Sequence, residues 1–175
     1  MTQLRELQSV TLAEFEAMKK QEGLTYELID GVVMMSPRPS FEHQDISGNI
    51  YYELRNVLKE TQCKPIQEID LVLDENNFVP DLMVICNETF KGKCYEKPPL
   101  IAMEIISPSS TSTDYFTKRL KYELLGVQEY WIISPEEKCI MVIAFKSKQQ
   151  ERYCEGQAKS FILPEIAIDL SAVFE

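Results

Sequence analysis

Hydrophobic positions along the chain recur with two periods, and the changes of period mark out the elements. Thr11-Leu12-Ala13-Glu14 is a capping box, in which the threonine hydroxyl and the following glutamate satisfy free N–H groups; it predicts a short helix to about residue 20. Tyr26-Glu27-Leu28-Ile29, then Asp30-Gly31, then Val32-Val33-Met34-Met35 predicts a β-hairpin closed by a tight primed turn and stopped by Pro37 and Pro39. Ile46, Ile50, Leu54, Val57 and Leu58 recur at helical spacing, so a longer helix is expected over residues 40–60. Strands follow at about 66–73 and 79–86, separated by a turn at Asp74-Glu75-Asn76-Asn77. A polar loop at 91–99 leads to Leu100-Ile101-Ala102-Met103-Glu104-Ile105-Ile106, a central strand apolar on both faces.

Beyond a Ser/Thr/Pro loop at 107–113, capped at Ser112 or Thr113, a helix is expected over 114–125, with Gly126 as its C-terminal cap. Strands at 129–133 and 139–145 and two short ones near 151–154 and 160–163 complete the reading. The strand–helix–strand unit from Glu104 to Ile133 is a crossover, so its two strands should run parallel. The expected architecture is α/β (α+β): one mixed central sheet flanked by two or three helices, with the N-terminal helix and hairpin alongside. At 175 residues, without repeat or linker, it is expected to be a single domain.

Composition narrows the function classes. With 45% hydrophobic and 26% charged residues the chain is ordinary globular material. The absence of a long apolar run and the polar opening lead us to expect a cytoplasmic protein with no membrane segment. Five cysteines, Cys63, Cys86, Cys94, Cys139 and Cys154, form no CxxC pair and are expected to be reduced. One histidine, His43, excludes a multi-histidine metal site. Eighteen Lys+Arg against twenty-eight Asp+Glu leave a net charge of −10, the wrong sign for holding nucleic acid by bulk attraction.

Two acids stand where acids do not belong. Glu104 interrupts an apolar strand, where an ionised carboxylate needs a distant cation, a raised pKa or a metal ion. Asp81 follows Pro80 and leads directly into Leu82-Met83-Val84-Ile85. On adjacent strands both could point at one spot, and a divalent cation is the usual way to keep two such carboxylates ionised. Each also has a structural reading: Asp81 capping the turn, Glu104 paired with a lysine. On the following helix Asp114, Lys118, Lys121 and Tyr122 share a polar sector, while Phe116, Leu120 and Leu124 form an apolar stripe. Lysine from that sector could reach the strand end where Glu104 lies.

These residues, in order, carry a resemblance. Tyr26–Gly31, His43, Pro80-Asp81, Glu104-Ile105-Ile106-Ser107-Pro108-Ser109, Asp114 with Lys118 and Tyr122, and Gly126 to Trp131 together resemble the PD-(D/E)xK nuclease superfamily. More narrowly they are similar to its Uma-two branch, named for restriction endonucleases. The resemblance implies a restriction-endonuclease-like fold in which Asp81 and Glu104, with a backbone carbonyl near Ile105, hold Mg²⁺ or Mn²⁺. One position departs: the lysine expected two residues after the acid is Ile106, which makes Lys118 the candidate, with Lys121 a rival about one turn away. The resemblance then implies that Lys118 orients or deprotonates a water and stabilises the transition state. Glu27 joins the metal shell or salt-bridges within the hairpin. His43 contacts substrate or makes a hydrogen bond at the helix start. Tyr130 and Trp131 are expected to fill core.

The leading expectation is therefore a metal-dependent endonuclease acting on DNA, conceivably as a homodimer, since double-strand cutting needs two sites. The acidic total supports a rival, a non-catalytic nuclease fold serving as a binding or assembly module. A third reading is a phosphoesterase for a smaller or single-stranded substrate. Local basic clusters answer the charge only in part: Lys118-Arg119 with Lys121, and Lys91, Lys93 and Lys97 before Glu104.

Overall fold

The structure, a computed structural model, describes residues 9–88, 90–106 and 113–175, with 113–115 as backbone. Its elements in chain order are α1 (Leu12–Ala17), β1 (Leu24–Ile29), β2 (Val32–Pro37), α2 (Phe41–Val57), β3 (Cys63–Gln67), β4 (Asp70–Leu73), β5 (Asn76–Phe78), β6 (Leu82–Cys86), β7 (Cys94–Tyr95) and β8 (Ile101–Ile105). A π-helical turn, Thr113–Lys118, runs into α3 (Arg119–Leu124), followed by β9 (Glu129–Ser134), β10 (Cys139–Ala144), β11 (Gln149–Tyr153), β12 (Gln157–Lys159), β13 (Ala167–Asp169) and α4 (Leu170–Val173).

The capping box at Thr11 forms with both its hydrogen bonds, and Asp30 (φ 51°) and Gly31 (φ 74°) make the left-handed hairpin turn their sequence predicts. A Cβ at Gly31 would also strike the Ser9 side chain, so glycine is required there twice over. The crossover holds as expected: β8 and β9 are parallel, with Glu104 opposite Ile132.

One sheet was expected, and the described strands form three: β11-β10-β9-β8-β6-β3, β2-β1-β5-β4-β7, and the pair β12-β13. The reason lies in two breaks that hydrophobicity does not reveal. Glu68 takes φ 47°, cutting the expected 66–73 strand into β3 of the large sheet and β4 of the second. Residues 79–81 likewise carry the chain from β5 back to β6. The expected strand at 160–163 does not form; those residues lie in the connection between β12 and β13, which pair with each other and lead into α4. The loop at 107–112, with the cap at Ser112, lies outside the described residues.

Each face of the large sheet carries its own apolar layer. On one, Ile101, Met103, Trp131, Ile133 and Val84 pack against Ile46, Ile50 and Leu54 of α2 and against the C-terminal β13–α4 segment. On the other, Met83, Ala102, Tyr130 and Ile132 meet Ile29, Leu71 and Phe78 of the second sheet and Tyr122 of α3. Trp131 and Tyr130 are core residues, as expected.

Helix α3 departs from its pattern. Phe116, Leu120 and Leu124 are 64%, 60% and 77% exposed, whereas Lys118 and Tyr122 are 3% and 0% exposed. Lys118 and Tyr122 face the protein, where their partners are the acids Glu27 and Glu104.

The cysteines also differ from expectation. Cys63–Cys86 and Cys139–Cys154 are joined as disulfides, leaving Cys94 free. Antiparallel register sets Cys63 opposite Cys86, and the β10–β11 register, which pairs Ile140 with Tyr153, aligns Cys139 with Cys154 one step further on. Sequence spacing does not report register.

Glu129 is a second strand acid, fully buried, that accepts hydrogen bonds from Trp131 Nε1 (2.7 Å) and the Phe161 N–H (2.8 Å). It thereby ties the segment after β12 to the large sheet. Burial, only partly offset by these donors, raises its pKa above the ordinary carboxylate value. Glu129→Ala should cost about 2–4 kcal/mol by leaving two buried N–H donors without an acceptor. Because the native pKa is raised, the Glu129 contribution is full below the unfolded carboxylate range and declines as pH rises through the native value. Urea denaturation at stepped pH should therefore show the gap between wild type and variant narrowing from acid toward neutral.

Candidate active site

Five segments bring their polar groups together at one end of the two larger sheets. Continuing the β6–β8 register, in which Leu82 opposes Met103, places Asp81 opposite Glu104. The placement is fixed by a hydrogen bond: the Ile105 N–H donates to Asp81 Oδ2 at 2.7 Å. Near Ile105 it is thus the backbone N–H that reaches Asp81. Asp81 Oδ1 lies 2.8 Å from His43 Nε2, within hydrogen-bond distance. His43 sits in the first turn of α2, where the Ser40 hydroxyl accepts its backbone N–H.

Glu104 is 4% exposed, and its requirement for a partner is met from α3. Lys118 Nζ stands 3.0 Å from Glu104 Oε1 and 3.0 Å from Glu27 Oε1, so one ammonium bridges the two sheets. Glu27 Oε1 also accepts the Val79 N–H at 2.7 Å. Glu27 therefore leaves its hairpin for a partner on α3. The Tyr122 hydroxyl donates to Glu104 Oε1 at 2.7 Å. Burial, with the Glu104 and Glu27 charges beside it, raises the Tyr122 pKa well above that of a free phenol, so the hydroxyl remains a donor.

Of the two candidate lysines, only Lys118 joins this cluster. Lys121 pairs instead with Asp30 in the hairpin turn, an exposed contact. Helical phase separates them: Lys118 and Tyr122, four apart, lie one above the other on the buried face, and Lys121 lies to the side. The sequence places Tyr122 in the polar sector with Lys118 but gives it no role; the four-residue spacing is what brings both to Glu104. The side chain of Asp114 lies outside the described residues.

Among the described residues, Glu27, Asp81 and Glu104 bring three carboxylates together with the ammonium of Lys118 and the ring of His43 in a largely buried place. Among the described residues no group of three or more His, Cys, Asp or Glu side chains is close enough to enclose a metal ion. The donor set fits a hard cation held by one or two carboxylates, its other positions taken by water and substrate oxygens, which is the habit of Mg²⁺. It does not fit a closed site of nitrogen and sulfur ligands.

A crystal structure described as a putative nuclease belonging to DUF820, from Anabaena variabilis, is similar over 94% of this chain and 97% of that chain, with a TM-score of 0.80 and 21% identity. The fold is restriction-endonuclease-like. No curated protein matches. The Uma2 family model, described as "Putative restriction endonuclease", matches residues 12–171, and the chain belongs to that family.

The two lysines make separable predictions. Lys118→Met should cost about 3–5 kcal/mol in urea denaturation, because it strands two carboxylates without their cation. Lys121→Met, which breaks an exposed pair, should cost about 1 kcal/mol or less.

Proposed function

We propose that the protein is a divalent-metal-dependent endonuclease that hydrolyses phosphodiester bonds in DNA, with Asp81, Glu104 and Lys118 as its working residues. The family and fold support a nuclease. The observation that supports the finer reading is the gathering of Glu27, Asp81 and Glu104 with Lys118, three carboxylates to one ammonium among the described residues. Buried charge of one sign is costly, and a divalent cation is the simplest group that relieves it.

Asp81 and Glu104 would hold Mg²⁺ or Mn²⁺. When bound, the ion would acidify a water and neutralise charge developing on the phosphate oxygens. The rest falls to the chain. Lys118, kept charged between two carboxylates, serves as a fixed positive group facing the pentavalent phosphorus as water adds and one P–O ester bond breaks. His43 holds Asp81 in place through Oδ1 while the Ile105 N–H holds Oδ2. Glu27 positions the lysine rather than the substrate.

The chain would work as one domain in the cytoplasm, and a pair of copies would supply the two cuts of a double strand. A second reading has an observation of its own. Much of the basic charge near the site is engaged internally: Lys118 in the acid cluster, Lys121 by Asp30 and Lys97 by Glu88. With a net charge of −10, that favours either few phosphate contacts or a non-catalytic role as a binding module.

Purified protein with Mn²⁺ or Mg²⁺ should nick plasmid DNA, and chelation should stop it. Asp81→Asn and Glu104→Gln should each lower the rate by about 10³-fold or more while the protein stays folded, since each removes charge from the chemistry itself. Parallel assays on single-stranded DNA and RNA identify the substrate. Cleavage that survives both substitutions, or none on any substrate in any metal, would refute the proposal.

A further inference from the structure

We infer that Tyr122 is a positioning residue for Glu104, an inference that rests on reading Asp81 and Glu104 as the cation-binding pair. Its ring is fully buried, 5.1 Å from Phe78 and edge-on to Tyr130 at 5.3 Å between centroids. Packing alone asks only for a ring, and phenylalanine would fill that space without burying a hydroxyl. The hydroxyl is accounted for by Glu104 Oε1, 2.7 Å away.

Two donors converge on that oxygen, and they differ in kind. Lys118 is a charge on a flexible stem, and its ammonium is shared with Glu27. Were it to move toward a substrate phosphate, its hold on Glu104 would weaken. Tyr122 is a rigid donor, locked by its aromatic neighbours, and its backbone carbonyl accepts the Val127 N–H at 2.9 Å as the helix ends. It keeps the Glu104 carboxylate aimed when the lysine is engaged elsewhere. Partners that orient a metal-binding carboxylate act on metal affinity as well as on rate.

The test uses the full-length protein and Mn²⁺ alone. In calorimetry without substrate, Tyr122→Phe should weaken Mn²⁺ binding by about 10–100-fold. On DNA it should lower kcat while KM stays within about twofold, as for a group that acts at the chemical step. Tyr122→Leu, which also loses the ring, should show the same loss of Mn²⁺ affinity but a lower melting temperature, separating the hydroxyl from the packing. In the unaltered protein, Mg²⁺ titration should perturb tyrosine near-UV absorbance with the calorimetric midpoint, and Glu104→Gln should abolish that signal. Wild-type Mn²⁺ affinity in Tyr122→Phe would overturn the inference while leaving the endonuclease reading intact. So would an unaltered protein that binds Mg²⁺ without a tyrosine signal. Failure of the unaltered protein to bind Mn²⁺ at all would overturn both.

Discussion

The ammonium of Lys118, 3.0 Å from a carboxylate on each of two sheets, is the contact on which the arrangement depends. Glu27 belongs to β1 of the second sheet and Glu104 to β8 of the large one, while the lysine stands where the π-helical turn meets α3. One cation therefore fixes the relation of two sheets and a helix. Buried ion pairs of this kind seldom add net stability, because desolvation consumes most of the Coulomb gain. The pairs lie beside the apolar layer of Met83, Tyr130, Ile132, Phe78 and Tyr122, which joins the same two sheets and α3.

Along the π-helical turn and α3, Phe116, Leu120 and Leu124 lie outward while Lys118 and Tyr122 lie inward, the reverse of the ordinary amphipathic rule. A pattern of this sort departs from what stability alone would select. Local rules fail most often where a chain has something besides folding to do, and here the failure coincides with the acid cluster. The π-helical turn that precedes it belongs to the same account, since such turns alter helical phase and recur at functional sites.

Much of this was legible in the amino-acid order, for identifiable reasons. Glu104 in an apolar strand, Asp81 at the mouth of another, and a capped hairpin are local statements, and all three fall where their neighbours imply. The parallel pairing of β8 with β9 followed from handedness. Other features depend on three-dimensional neighbours. Glu27 reads as a hairpin acid until Lys118 arrives from 91 positions along the chain. The break at Glu68 is a single backbone torsion in an apparently continuous strand. The disulfides depend on strand register, which no spacing encodes. Lys118 and Lys121 share one polar sector in the sequence and became distinct only when the buried face was known.

The overall charge and the site pull in different directions, and the conflict is instructive. A surface carrying −10 gains nothing from counterion release over a long duplex, whereas clustered carboxylates of the proposed site would favour a divalent ion. On the proposed function, attraction for substrate would pass through the site rather than the surface: a cation held by the acids would offer positive charge to one phosphate, and Lys118 would add to it. Such an enzyme would bind nucleic acid weakly in the absence of metal. Its dependence on salt would be shallow, because few phosphates are contacted, and its dependence on metal steep. Recognition and catalysis would then rest on the same few side chains, a demand under which turning Leu120 and Leu124 outward to bring Lys118 and Tyr122 to the acids is the expected compromise.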